Sequence, residues 1–356
     1  MRTAFAASLA CAAVLGVSAA PSIHVSTGVP AQVNGVDNLS ITTVVTNTGD
    51  EALKILNNPG SALVSAETKT FEIANDKGSP AFTGMLVKYS PQYVVKNNDP
   101  ADFTVLQPGE SREVTHSLAG VYDFATAGPG EYKVSPLNTF QYVDGSGNLA
   151  TIEATTEPAT FEIGGNLVSS KVLHRRQPRL VGRQNSPQFL NCGDPQKAQV
   201  SSAVRAAEGY AQQATAYMSQ VNRNTDRYST WFGPYDANRA ATVRSHFQRI
   251  MGQATRSTYD CAPPSCPNQS TFAYVYASQP GRVYLCGAFW RAPLTGTDSM
   301  AGTIVHEQTH FDINGGTRDH QYGQQGCKAL ASQRPDLAVM NADSHEYFAE
   351  NNPAQQ

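Results

Sequence analysis

His306 and His310 stand four residues apart with Glu307 between them, in Val305-His306-Glu307-Gln308-Thr309-His310-Phe311. On a helix that spacing stacks two imidazoles on one face, where both can reach one Zn2+ at roughly 2.0–2.1 Å. Glu307, beside the first histidine, can reach a water at the metal. Zinc lowers the pKa of such a water to about 7, so Glu307 could take its proton and later hand one to a leaving amine. That is the chemistry of a zinc peptidase. The five-residue motif also arises by chance and needs its context. Here the small and apolar lead-in Ala301-Gly302-Thr303-Ile304-Val305 suits a buried helix.

A third metal donor must come from elsewhere. The metzincin continuation needs glycine at 313 and histidine at 316, but the chain has Ile313 and Gly316. Asp312 is too close along the same helix to fold back. Asp319 follows the Asn314-Gly315-Gly316 turn, which would reverse the chain and return a carboxylate to the metal. His320 is a competing donor, and Glu346 would serve if a later helix supplied the ligand.

The elements that must carry these residues are mostly helical. Thr297 or Asp298 is expected to cap the motif helix. Asp194, with Pro195 at the first helical position, is expected to cap an earlier helix. That helix has Val200, Ala203, Val204, Ala207, Ala211, Ala214 and Met218 at helical spacing. A second helix carries Val243, Phe247, Ile250 and Met251. The runs 271–276 and 282–286 bracket Gln279-Pro280-Gly281 and read as a β-hairpin.

Upstream, residues 21–168 hold short alternating, β-branched runs separated by Gly, Pro, Asn and Asp, which predict an antiparallel sandwich. The runs include 41–46, 85–89, 93–95, 103–106 and 139–143. A basic stretch, 169–183, reads as an exposed linker with processing sites at Arg176 (in the pair Arg175-Arg176) and Arg183. The expected division is signal peptide 1–20, sandwich propeptide 21–168, linker 169–183 and catalytic domain 184–356. The expected fold class is α+β: a mainly helical zincin-like catalytic domain with a small antiparallel sheet, preceded by an all-β sandwich.

Length and composition fit this division. The chain has 356 residues, 40% of them apolar, and a net charge of −3, which gives no reason to expect nucleic acid. Arg2, the apolar run from Ala4 to Val17 and Ser18-Ala19-Ala20 form a secretory signal too short to span a bilayer. A secreted, extracellular, monomeric protein without a membrane anchor is expected. Cys11 leaves with the signal, and the other five cysteines lie in the C-terminal half. Pairing is their default in an exported protein, with Cys327 expected to stay free. No cysteine lies between residues 21 and 183, so a thiolate cannot silence the metal from there. Latency would need steric cover, or a donor such as His174. Asn38-Leu39-Ser40 and Asn268-Gln269-Ser270 are glycosylation sequons.

The motif together with Gly316, Thr317, Asp319, Tyr322 and Gly323 resembles the signature of the deuterolysin, or aspzincin, zinc peptidases. That resemblance implies Asp319 as the third ligand and a Tyr322 hydroxyl that hydrogen-bonds the tetrahedral intermediate. Within the family, the segments 227–233, 271–276, 283–290 and 341–353 are similar to peptidyl-Lys metalloendopeptidases, which cut on the amino side of lysine. The resemblance runs from about Cys192 to the end and implies the disulfides Cys192–Cys261 and Cys266–Cys286. Cys327 departs from the pattern, and the N-terminal part resembles the family's propeptide only loosely.

A lysine after the scissile bond needs a negative pocket. Asp343 and Glu346, three apart on one helical face, can hold an ammonium by charge-assisted hydrogen bonds. By resemblance Asp343 is the main anchor and Glu346 assists. The alternative is that one carboxylate holds a zinc-bound imidazole. From Gln184 onward there are two lysines against eleven arginines, whereas Pro21 to Arg183 holds seven lysines. A protease cutting before lysine would spare itself and clear its propeptide. The expected partners are therefore lysine-bearing proteins or peptides and the chain's own propeptide. A broader deuterolysin-like endopeptidase and a non-catalytic secreted zinc-binding protein are the rival readings.

Overall fold

The computed structural model describes residues 20–175 and 186–355. Arg176 and Arg183 lie outside the described residues. Among those described, the N-terminal part forms three four-stranded sheets and a two-stranded pair. The strand Ser40–Asn47 has every second residue buried, as a half-covered strand requires. Its buried face serves two cores. Ile41 joins Phe71, Tyr132 and Phe161, while Val45 joins Ile55, Leu106 and Phe140.

The segment is not all-β. Residues 93–95, expected to be extended, lie in the helix Pro91–Asn97. Ser90 caps it by accepting from the Tyr93 amide, and proline at the first turn costs no hydrogen bond. The linker expected from 169 begins with a docked helix, Ser170–Arg175. Its Val172 is buried, and Arg175 donates to the Thr83 and Gly120 carbonyls and lies 3.9 Å from the centre of the Tyr276 ring.

The C-terminal part packs helices around one core that contains Val204, Phe247, Phe272, Ile304 and Phe348. The helix Asp194–Gln220 is capped by Gly193, with Asp194 inside the first turn rather than at the cap. No helix among the described residues is long and apolar enough to cross a membrane.

The remaining sheet has five strands, in the order Gln188–Leu190, Thr258–Asp260, Arg282–Leu285, Thr271–Val275, Leu86–Tyr89. It is mixed rather than antiparallel. The first three strands run parallel: helices carry the chain across between Leu190 and Thr258, and the strand Thr271–Val275 intervenes between Thr258–Asp260 and Arg282–Leu285. Thr271–Val275 and Arg282–Leu285 form the expected antiparallel hairpin. The fifth strand comes from the N-terminal part. Leu86–Tyr89 pairs antiparallel with Thr271–Val275, matching Val87 with Tyr274 and Leu86 with Val275. All four of its residues are buried.

Candidate metal centre and lysine pocket

The helix Met300–His310 carries the two histidines, and all eleven of its residues are buried. Ser299, not Thr297 or Asp298, is the cap: its hydroxyl accepts from the Gly302 amide at 2.9 Å. Glu350, from the helix Ala342–Glu350, accepts from the Ser299 amide and hydroxyl. A side chain at 302 would collide with that carboxylate, so the close approach of the two helices requires glycine there.

After His310 the chain turns back. The amides of Asn314, Gly315 and Gly316 all point at the Phe311 carbonyl, and Gly316 has a φ of 60°. Arg318 then bonds the Met340 carbonyl and receives the Ala342 amide, while Asn341 Oδ1 accepts from the amides of His320 and Gln321. These bonds clamp Asp319 in place from both sides. Sequence reasoning missed Asn341, whose partners lie 20 and 21 residues away.

The resulting triangle is compact. His306 Nε2 and His310 Nε2 are 3.0 Å apart, and Asp319 Oδ1 is 3.3 Å from the first and 3.2 Å from the second. Three donors at the corners of a tetrahedron around zinc, each about 2.0–2.1 Å from it, would stand roughly 3.3 Å apart. His310 Nδ1 lies 3.0 Å from the Thr317 carbonyl, to which it donates, leaving Nε2 with its lone pair toward the centre. Two buried ring nitrogens and a carboxylate oxygen converging on one point fit a divalent zinc ion. Asp312 and His320 are exposed and take no part. His174, the suggested silencing donor, is exposed on its own helix.

Asp343 and Glu346 do not extend this triangle. They face the opposite nitrogen of the same ring: His306 Nδ1 lies 2.9 Å from Asp343 Oδ1 and 3.2 Å from Glu346 Oε2. Both distances are within ion-pair range, although neither contact is aligned as a hydrogen bond. The same two oxygens lie 3.1 and 2.9 Å from the Nζ of Lys88, which is fully buried. The same pair of carboxylates thus lies against both the Lys88 ammonium and the His306 ring, the two contacts set as alternatives from the sequence. A third carboxylate completes the pocket. Asp298 Oδ1 is 2.9 Å from Lys88 Nζ and accepts from the Tyr347 hydroxyl, and its other oxygen accepts from Ser90. Asp298 sits at a φ of 50°, a left-handed conformation that a non-glycine residue adopts at some cost. Sequence reading gave this residue only a capping role.

Burial alone would push the Lys88 ammonium down, but the charges of Asp298, Asp343 and Glu346 outweigh it and hold Lys88 well above the ordinary lysine value. Glu307 is also fully buried. Burial pushes its carboxyl well above the usual range, with the His306 charge opposing and Asp319 adding. Its Oε1 accepts from the Lys88 amide at 3.2 Å, and Asp319 Oδ2 accepts from the Val87 amide at 2.9 Å. Tyr322 packs edge-on against Tyr89 with 5.8 Å between ring centres. Burial and then the Asp319 charge raise its hydroxyl well above the ordinary tyrosine value, so it stays a neutral donor beside that carboxylate. A cavity of about 880 Å3 opens onto Val87, Asp319 and Tyr322.

The disulfides Cys192–Cys261 and Cys266–Cys286 are both present, and Cys327 is free and buried. Asn38 is exposed, whereas the Asn268 amide is held by the Asn57 carbonyl at 2.8 Å, against the N-terminal part.

Comparison with known proteins points the same way. The family described as lysine-specific metallo-endopeptidase matches residues 217–350. A peptidyl-Lys metalloendopeptidase of Armillaria mellea is 45% identical over 97% of this chain and 96% of its own. One from Grifola frondosa is 43% identical over 96% of each. An extracellular protease of Aeromonas hydrophila is 35% identical over 90% of each.

Proposed function

The chain belongs to the lysine-specific metallo-endopeptidase, or aspzincin, family, and on that premise we propose how its residues divide the work of cutting a peptide bond before lysine. The protein is a zinc endopeptidase. His306, His310 and Asp319 would hold the zinc, which supplies Lewis-acid polarisation of water and of the scissile carbonyl. Glu307 takes a proton from the attacking water and delivers one to the departing amine. Its carboxyl is fully buried beside the metal ligands, which places it to carry that proton from one event to the other. Tyr322 donates its hydroxyl hydrogen bond to the oxygen on which negative charge develops, in a cleft poor in water. His310 is kept in the right tautomer by the Thr317 carbonyl, and His306 is steadied by Asp343 and Glu346.

Asp298, Asp343 and Glu346 select the lysine. The observation that carries this reading is the buried ammonium of Lys88, ringed by three carboxylates at 2.9–3.1 Å while its own backbone amide touches Glu307. An ammonium in that pocket places the bond on its amino side at the catalytic glutamate. The wider, planar guanidinium of arginine would meet the same space with a different hydrogen-bond geometry.

Residues 21–168 act as a propeptide, supported by the two cores that share one sheet face, and the extracellular setting is supported by the signal-like N-terminus. The test is digestion of an unstructured protein by the processed enzyme, reading the new N-termini with and without chelator. Lysine should dominate the new N-termini, and chelator should abolish them. Equal cutting before arginine and neutral residues would instead favour a broader deuterolysin-like endopeptidase.

A further inference from the structure

The strand Leu86–Tyr89 lies in the cleft as an extended chain, hydrogen-bonded antiparallel to the sheet strand beside the metal centre. Among the described lysines, Lys88 is the one that is fully buried, and the pocket that buries it is the acidic one. Its backbone nitrogen is 3.2 Å from Glu307 Oε1. The preceding amide, of Val87, is tied to Asp319 at 2.9 Å. The peptide bond between these two nitrogens' residues is thus bracketed by the proton-transfer carboxyl and a metal-ligating carboxylate. The cavity of about 880 Å3 is lined by Val87 and Asp319 among others.

We propose that Val87–Lys88 is a bond this chain cuts in itself, its own N-terminal part filling the substrate cleft and presenting Lys88 as the first lysine the pocket reads. The inference rests on the peptidase reading above. The step is a hydrolysis: water oxygen bonds to the Val87 carbonyl carbon, and the carbon–nitrogen bond to Lys88 breaks. One water proton passes through Glu307 to the Lys88 nitrogen, and the other, shed by the new Val87 carboxylic acid, also goes to that amine, leaving a carboxylate on Val87 and an ammonium on Lys88. No oxidant or second reactant is needed. Until the bond breaks, the strand excludes every other substrate from the pocket, so the same contact keeps the enzyme latent without a cysteine.

The experiment uses the full chain, purified in chelator and then given Zn2+. It is followed by intact mass and N-terminal sequencing, with a reporter peptide carrying one Xaa-Lys bond. Two fragments dividing after Val87 should appear, with a half-time independent of protein concentration, and should be absent from Glu307→Gln. A half-time that shortens with concentration would mean cutting between molecules and would overturn the proposal. Lys88→Ala, with its pocket vacated, should cut the reporter without the internal cut. If Lys88→Ala cuts the reporter while wild type leaves Val87–Lys88 intact, self-cutting is wrong and the peptidase reading stands. If neither chain cuts the reporter, the peptidase reading falls and takes this proposal with it. A readout independent of catalysis is amine acylation of the uncut Glu307→Gln chain. Lys88 should remain unlabelled at reagent levels that saturate the exposed Lys69 and Lys133, and equal labelling would overturn the placement.

Discussion

Asp298→Asn separates lysine recognition from the metal. Asp343 and Glu346 touch both Lys88 Nζ and His306 Nδ1, so replacing either disturbs two functions at once. Asp298 touches the ammonium alone of the two. Asparagine keeps the shape and can still accept from Tyr347 or Ser90, but it removes a charge 2.9 Å from the cation. At an effective dielectric of about 20, that pair attracts by roughly 6 kcal/mol before desolvation is counted. Two carboxylates remain in the variant, and the Asp298 side chain keeps 15% of its surface exposed, so hydration returns much of the attraction. The net loss should resemble that of one charged hydrogen bond, about 1.5–3 kcal/mol. If a substrate lysine occupies this pocket in the transition state, kcat/KM for Xaa-Lys peptides should fall about 10- to 150-fold. The assay compares the processed enzyme on two peptides differing only in lysine or its neutral isostere, with bound zinc measured on the same samples. Equal losses on both peptides, or no loss on the lysine peptide, at full zinc occupancy would refute the reasoning.

Three further outcomes follow from the same geometry. Glu307→Gln should retain zinc, since its ligands are untouched, and lose about 10²- to 10⁴-fold or more in kcat; metal analysis and kinetics on one preparation check both halves. Asp343→Ala should lower lysine turnover and also weaken zinc binding about 10- to 100-fold, because it unseats His306, so a chelator titration indistinguishable from wild type would contradict the contact. Acidification should weaken the N-terminal part through His116, where burial depresses the ring to about 4 from 6.5. The unfolded ring takes the proton first, so stability is full above about pH 6.5 and falls toward pH 4, by at most about 3 kcal/mol from this residue. Urea midpoints at pH 7 and pH 4.5 should converge in His116→Gln relative to wild type, and an unchanged gap would argue that other groups are responsible.

Part of the short-range information was legible, although both expected helix caps fall at neighbouring residues instead. The histidine spacing, the glycine turn before Asp319 and the Gln279-Pro280-Gly281 turn are local patterns, and each acts over a few residues. Lys88 and Asp298 were not read for the opposite reason. They meet across 210 positions, and no periodicity links a strand residue to a loop residue in another part of the chain. The helix at Pro91–Asn97 was legible in principle, because Ser90-Pro91 is a helix-start signal, but the β-branched pair Val94-Val95 pulled the reading toward a strand. The mixed direction of the five-stranded sheet depends on the path of the chain between its strands, which the strand sequences do not encode.

Thr271–Val275 is covered on its outer side by Leu86–Tyr89 alone, and this constrains what the enzyme can digest. With Leu86–Tyr89 removed, as the self-cutting proposal requires, that strand would present a row of unsatisfied amides and carbonyls to a straight peptide alongside. A lysine in a stable helix or a tight turn cannot supply one. Cutting should therefore track local unfolding of the target, sparing well-folded proteins however many lysines they carry on their surfaces.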